Sequence, residues 1–225
     1  MALSRAQLLI GLIRLISKLS LPAAQRLGRL IGNVANWLPT RARRVTATNL
    51  RLCFPELSEA QQRQLVREAR ASGKGLLLLA PHLGNWELCG LYFSTRYRMA
   101  ALYSPPSLPG FEDYMTAQRG RQGTEYVPGD RRGLARLIGM LREGEVTGIL
   151  PDQSPTAAGS AFAPFFGVEV RTMTLVSKLL QKSGATPLMT WCQRLPDGSG
   201  FRLVVRRCVE GIADPDPVIA TTALN

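Results

Sequence analysis

The segment of the sequence with the most chemical content joins an apolar run to a polar turn. Residues 76–80 read LLLLA, and a histidine, a glycine, an asparagine and a glutamate follow before residue 88. A short, wholly apolar run predicts a buried parallel strand, and sites in open α/β sheets form where such strands end. The chain has one histidine, and it stands at such an end: His82.

His82 and Glu87 have the residue types and spacing of a base and its orienting acid. Asn85 is a favoured N-cap residue, so Glu87 is expected in the first turn of a helix, where the helix dipole favours a carboxylate. A carboxylate bonded to one imidazole nitrogen fixes the tautomer and leaves the other nitrogen free to accept a proton. Gly84 allows backbone amides to approach a ligand closely.

The sequence offers this histidine no obvious protein nucleophile, since it contains no G-x-S-x-G motif and no second histidine. A base without a nucleophile can deprotonate a substrate hydroxyl, which then attacks an activated acyl group directly. The pattern therefore predicts direct acyl transfer. A merely structural ion pair between His82 and Glu87 is the alternative that spacing alone leaves open.

Strand and helix patterns alternate along the rest of the chain. This alternation predicts an α/β fold with a mixed sheet flanked by helices. Beyond the last strand the pattern shows no further helix before Asn225. Strands are expected at 76–80, 99–103, 145–150, 186–192 and 201–206, and helices at 58–71, from 85, and at 111–121, 131–142 and 172–183.

Composition limits the function classes. The chain has 225 residues, of which 45% are hydrophobic and 20% charged, which is typical of a globular protein able to fold without disulfides or metals. Four cysteines without C-x-x-C spacing and a single histidine argue against a zinc site and favour a reducing compartment. The net charge is +12, and residues 1–70 carry 12 basic but only 3 acidic groups. Such a basic region predicts anionic partners.

The N-terminal basic residues lie beside apolar helical patterns. Between residues 8 and 21, aliphatic side chains recur at helical spacing opposite Arg14 and Lys18, and a second such stretch covers residues 27–38. A basic amphipathic helix is typical of membrane association, interfacial or spanning, and favours lipid over nucleic acid as the partner. An ordinary packed helix of a soluble domain is the alternative interpretation of this pattern. Two parts are predicted: a membrane-anchoring segment at 1–40 and an α/β domain at 41–225.

Four blocks in fixed order resemble one family. They are the H-x-x-x-x-E segment at 82–87, NLRLCFPE at 49–56 after the arginines of 41–44, LREGEVTGILPDQ at 141–153, and FAPFFG at 162–167. This order resembles that of the bacterial lipid A biosynthesis (lauroyl or myristoyl) acyltransferases, along nearly the whole chain. The resemblance implies a glycerolipid-acyltransferase-like fold.

The resemblance implies a role for each matching side chain. His82 is the general base and Glu87 orients it. Arg119, within AQRGR at 117–121, binds an anionic group or the developing oxyanion, and Asp152 positions groups of the site. A solvent-facing charge and a structural turn are the alternatives for these two. Gly84 and Asn85 are further predicted substrate-binding positions. Phe165 and Phe166 are predicted to line a groove for the acyl chain, and core packing is the alternative for these two.

The implied activity moves a fatty acyl chain from an acyl carrier protein (or CoA) thioester to a hydroxyl of a lipid A precursor. It takes place at the cytoplasmic face of the bacterial inner membrane, beside anionic lipids. No metal, organic cofactor or nucleic acid is implied. Two alternatives stay open: another lipid acceptor, such as a glycerophospholipid or aminolipid, and an inactive shortened homologue that only binds membrane. The inactive homologue is considered because two segments usual in the family are not found in this sequence: a helical segment near residue 71 and a further segment at the C-terminus.

Overall fold

A computed structural model describes residues 4–37, 58–103, 108, 110–120, 123–196 and 199–225. The arginine cluster at 41–44 and the family-like block at 49–56 lie outside the described residues, so the predictions made for them are not addressed by the structure.

The main sheet contains six strands of the described chain, in the order β3-β2-β4-β1-β7-β8. Its strands are parallel except for β8, which pairs antiparallel with β7, so the predicted mixed sheet is confirmed. Strand β1 is central, and all four of its leucines are buried, as its unbroken apolar run predicts. The strands are β1 (Leu76–Leu79), β2 (Met99–Tyr103), β3 (Glu125–Pro128), β4 (Val146–Ile149), β7 (Thr186–Arg194) and β8 (Phe201–Arg207).

Helices cover both faces of this sheet. Because side chains alternate along a strand, Leu76 and Leu78 pack against one helical layer, and Leu77 and Leu79 against the other. The first layer contains α3 and α4, and the second contains α6, α7 and the C-terminal helix α8. The helices in chain order are α1 (Arg5–Ile16), α2 (Leu21–Trp37), α3 (Glu59–Ala71), α4 (Trp86–Ser94), α5 (Glu112–Gly120), α6 (Arg131–Arg142), α7 (Leu175–Ser183) and α8 (Pro217–Leu224).

The two N-terminal helices leave much of their apolar surface exposed. Helix α1 begins with a capping box formed by Ser4 and Gln7, and it buries Ala6. On its outward side Leu8, Leu12 and Leu15 are each more than half exposed. No helix of the described segments is both long enough and apolar enough to cross a bilayer. Association of this region with a membrane stays a prediction.

The structure differs from the sequence-based expectations at two places after residue 150. A hairpin of β5 (Ser160–Phe165) and β6 (Val168–Met173) precedes α7. The helix predicted over 172–183 therefore begins only at Leu175, because the residues before it pair with β5. The expectation of no helix after β8 is wrong, since α8 follows Asp216, whose side chain caps the helix by accepting from Val218 N.

Candidate active site

The site lies where β1 and β4 end side by side. These strands are parallel neighbours, with Leu79 opposite Ile149. The chain leaves β1 for α4 on one face of the sheet and leaves β4 for α7 on the other. Connections that depart in opposite directions from adjacent strands open a crevice at their carboxyl ends. His82 and Asp152 each stand three residues beyond their strand, at this crevice.

Both carboxylate oxygens of Asp152 bind His82. Oδ1 lies 2.9 Å from the ring Nδ1, and Oδ2 accepts the backbone N–H of His82 at 2.8 Å. Because an ionised carboxylate can only accept, Nδ1 carries the proton and Nε2 presents a lone pair. The side chains of His82 and Asp152 are 42% and 40% exposed, so a substrate can reach them. The acid predicted to position groups of the site is thus the one that contacts the imidazole.

The loop that carries His82 is fixed against β7. The backbone N–H of Asn85 donates to the Cys192 carbonyl at 2.9 Å, and Gly84 forms a parallel bridge with Cys192. Gly84 has a φ of +66°, and a Cβ there would lie 2.1 Å from that carbonyl oxygen. Glycine is therefore required by a close backbone contact, while its predicted contact with a ligand stays a prediction. Asn85 occupies the N-cap of α4, but its side chain makes no capping hydrogen bond.

Glu87 binds Arg119 rather than His82. It lies in the first turn of α4, as predicted, and its Oε1 accepts a hydrogen bond from Arg119 Nη2 at 2.5 Å. No hydrogen bond joins Glu87 to His82 within the described chain. The direct contact expected between them is absent because the Glu87 carboxylate binds Arg119 of α5, while Nδ1 of His82 is bound by Asp152. Glu87 is 46% exposed and Arg119 only 21%.

Aromatic side chains lie beside this ion pair. The Trp86 ring contacts His82 edge-on, with ring centres 5.4 Å apart, and the Arg119 guanidinium carbon stands 5.4 Å from the Trp86 ring centre. The rings of Tyr103 and Tyr126 meet at 6.0 Å. Burial raises the pKa of Tyr126, although the positive charge of Arg119 opposes that rise. Sequence reasoning assigned no role to these rings. Among them Trp86 carried a signal, since it lies inside the histidine block.

Two buried thiols lie behind the loop. Cys89 and Cys192 are 1% and 3% exposed, so they pack as small apolar side chains. Their mutual hydrogen bond, with burial, raises the pKa of Cys89, and the same bond lowers the pKa of Cys192. Burial raises the pKa of Cys208 to about 12. Within the described residues no group of three His, Cys, Asp or Glu side chains is placed to hold a metal ion.

Phe165 and Phe166 lie at the turn between β5 and β6, where they are 37% and 56% exposed. Their rings contact each other at 4.4 Å, and no ring contact joins either to His82 or Trp86 in the described chain. Their role in an acyl-chain groove stays a prediction.

The site thus combines an oriented imidazole with a nearby guanidinium. The imidazole can take a proton at Nε2, and the guanidinium can stabilise negative charge. The Nε of Arg119 is buried and has no hydrogen-bond partner within the described residues, so the side chain keeps an unused donor. A base beside a cation, both at the carboxyl ends of the strands and accessible to solvent, suits attack of a hydroxyl on a carbonyl carbon.

Comparison with known proteins identifies relatives along the whole chain. The family model for bacterial lipid A biosynthesis acyltransferases matches residues 2–72 and 65–225. The lipid A biosynthesis lauroyltransferase of Escherichia coli (strain K12) is 28% identical over 87% of this chain and 76% of its own length. The palmitoleoyltransferase of the same organism is 28% identical over 90% and 78%. The phosphatidylinositol mannoside acyltransferase of Mycobacterium tuberculosis is 32% identical over 60% of this chain and 44% of its own length.

Proposed function

Because the chain belongs to the bacterial lipid A biosynthesis acyltransferase family, we propose that it transfers a fatty acyl chain from a thioester to a hydroxyl of a lipid A precursor. The donor is an acyl carrier protein thioester, or the corresponding CoA thioester. The observation that carries the proposal is the hydrogen bond between His82 Nδ1 and Asp152, which in the neutral ring leaves Nε2 to accept a proton.

In the proposed mechanism His82 Nε2 takes the proton of the acceptor hydroxyl. The oxygen attacks the thioester carbonyl carbon, whose oxygen becomes negatively charged near Arg119. The tetrahedral intermediate then loses the thiolate, which receives the proton from His82, and the ester is complete. Asp152 stabilises the imidazolium formed during this sequence, and Glu87 holds Arg119 in place.

Residues 1–40 form the proposed membrane-anchoring segment, and residues 41–225 the acyltransferase domain. The exposed leucines of α1, together with the excess of basic residues, support an interfacial position on anionic lipid at the cytoplasmic face of the inner membrane. We expect Leu12→Glu and Leu15→Glu to reduce sedimentation with anionic vesicles. Leu91→Glu, at an exposed leucine of α4, is the matched control. Equal binding by all three variants would refute this position.

A second acceptor class deserves the same assay, because one relative is named as an acyltransferase of phosphatidylinositol mannoside. In this alternative the chemistry at His82 is unchanged, and a different membrane glycolipid supplies the hydroxyl. The sequence match to that relative covers less of both chains than the matches to the lipid A enzymes do, which favours the lipid A precursor.

The test incubates the purified full chain with lauroyl, myristoyl and palmitoleoyl carrier-protein thioesters and a tetra-acylated lipid A precursor. Mass spectrometry of the lipid identifies the product, with phosphatidylinositol mannoside as the competing acceptor. We expect one added acyl chain on the precursor and none with His82→Ala. Transfer by His82→Ala at the wild-type rate would refute the base, and transfer only to the mannoside would assign the second acceptor.

A further inference from the structure

The indole of Trp86 contacts both reactive halves of the site. The His82 ring meets the indole edge-on, with ring centres 5.4 Å apart. The guanidinium carbon of Arg119 lies over the indole, 5.4 Å from its centre. Trp86 is the first residue of α4 and is half-buried. It is the one aromatic residue of the described chain with a ring contact to the histidine.

The surroundings of Trp86 differ from those of a core residue. Large aromatic side chains usually contribute to stability by filling a hydrophobic core. Trp86 belongs to none of the core clusters formed by the described residues, whereas Phe93, at the other end of the same helix, is fully buried in one of them. The ring contacts recorded for Trp86 are with an imidazole and a guanidinium, which are the groups that the proposed reaction uses.

We propose that Trp86 is a positioning residue, whose indole sets the separation between the His82 imidazole and the Arg119 guanidinium. The inference rests on the proposed function and deepens it. The imidazole must act on the attacking hydroxyl and the guanidinium on the carbonyl oxygen of the same tetrahedral centre. An error of about 1 Å in such a geometry can cost about 100-fold in rate.

The π face of the indole supplies the force that holds the guanidinium. A cation over an aromatic face is attracted by the ring's quadrupole, and tryptophan is the strongest of the aromatic side chains in this respect. Glu87 fixes one end of the guanidinium and Trp86 one face. The indole also separates two groups that are both cationic once His82 has taken a proton, and their closer approach would oppose the proton transfer.

Three substitutions distinguish the contribution of the indole's π face from the contribution of its volume. We expect Trp86→Phe to stay within about fivefold of the wild-type kcat, because it keeps an aromatic face. Trp86→Leu keeps apolar volume without a π face, and Trp86→Ala keeps neither. We expect both to lower kcat by about 10- to 100-fold, with KM changed less than kcat. Tyr92→Leu is the matched control, because Tyr92 lies on the same helix and its ring is likewise covered by an arginine, Arg96 at 3.9 Å, which belongs to neither half of the site.

An NMR measurement tests the contact without any change at Trp86. The indole N–H signal of Trp86 is the one that disappears in Trp86→Phe. Because the His82 ring meets the indole edge-on, with ring centres 5.4 Å apart, this signal should shift in His82→Gln. It should keep its position in Tyr92→Leu.

The outcomes separate this inference from the proposed function. Transfer by His82→Ala at the wild-type rate would overturn the proposed function. Wild-type kcat in Trp86→Leu, with His82→Ala inactive, would overturn the positioning role alone. If Trp86→Leu loses its folded circular dichroism, the indole signal of Trp86 in His82→Gln decides. An unchanged position of that signal overturns the inference.

Discussion

Asp152 and Glu87 provide the sharpest test of the site, because the structure gives each carboxylate a different partner. Asp152→Asn keeps the size of the side chain but replaces one acceptor oxygen with an amide donor. The new donor would face Nδ1 of His82 and favour the tautomer with the proton on Nε2, which removes the base. Glu87→Gln instead weakens the hold on Arg119 and leaves the imidazole unaffected.

The size of the Asp152→Asn effect follows from its contacts. A hydrogen bond to a charged group contributes about 1.5–3 kcal/mol, and about 1.4 kcal/mol corresponds to a tenfold change in rate. Losing the stabilisation of the imidazolium therefore accounts for about 10- to 150-fold, and the wrong tautomer adds to it. Because Asp152 is 40% exposed, water replaces part of what is lost. We expect kcat to fall by about 10²–10³-fold, less than the ~10⁴-fold reported for a buried triad aspartate.

The assay is acyl transfer from a carrier-protein thioester to the tetra-acylated precursor, followed by mass spectrometry over a range of donor concentrations. For Glu87→Gln we expect a smaller loss, with a higher KM for the anionic donor. Circular dichroism and thermal melting confirm that both variants fold. If Asp152→Asn retained more than half of the wild-type kcat while Glu87→Gln was inactive, the reasoning would be refuted, and Glu87 would be the acid that serves His82.

Three further predictions concern stability and reactivity. Gly84→Ala should lower the free energy of unfolding by more than about 1 kcal/mol in urea, because its Cβ meets a backbone oxygen of β7, whereas Gly90→Ala in open helical surroundings should not destabilise. Because burial raises the pKa of Cys208 to about 12, iodoacetamide at pH 8 should modify it far more slowly than in urea, as peptide mass spectrometry would show; equal rates would contradict its burial. The Arg136 hydrogen bond lowers the pKa of Glu125, so this pair stabilises the fold at neutral pH and stops doing so as pH falls through that lowered pKa. Glu125→Gln should therefore lower Tm at pH 7, and this decrease should shrink steadily as the pH falls below the ordinary pKa of glutamate. A decrease that does not change with pH would contradict the pair.

Much of the scaffold could be predicted because its signals are local. The run of leucines in β1, the capping box of Ser58 and Gln61, and the apolar face of Arg131–Arg142 each depend on residues that are close in sequence. The hairpin β5–β6 escaped prediction because its inward side chains are small and its turn residues are exposed phenylalanines, so no clear alternation appears. Helix α8 has a signal that could have been used, an aspartate followed by proline at its start.

The partners within the site could be predicted only in part. The position of His82 follows from the strand that precedes it, and the position of Glu87 follows from the helix that contains it. Which acid reaches the imidazole depends on which strand lies beside β1, and no local pattern encodes that strand order. The sequence does contain one useful clue, since Asp152 follows its apolar strand at the same distance as His82 follows β1. That symmetry becomes informative only once the two strands are known to be parallel neighbours.

The division between the two acids also explains why a glutamate at the helix start is useful although it does not touch the histidine. Glu87 lies in the first turn of α4 and forms an ion pair with Arg119, so its carboxylate can hold this long, flexible side chain in place. Asp152 sits on a short loop and holds the backbone of His82 as well as its ring. Each acid thus fixes one group of the proposed reaction. Neither acid can replace the other: without Glu87 the Arg119 side chain loses its anchor, and without Asp152 the His82 tautomer is no longer fixed. Glu87→Gln and Asp152→Asn should therefore not compensate each other. The double variant should be no more active than Asp152→Asn alone.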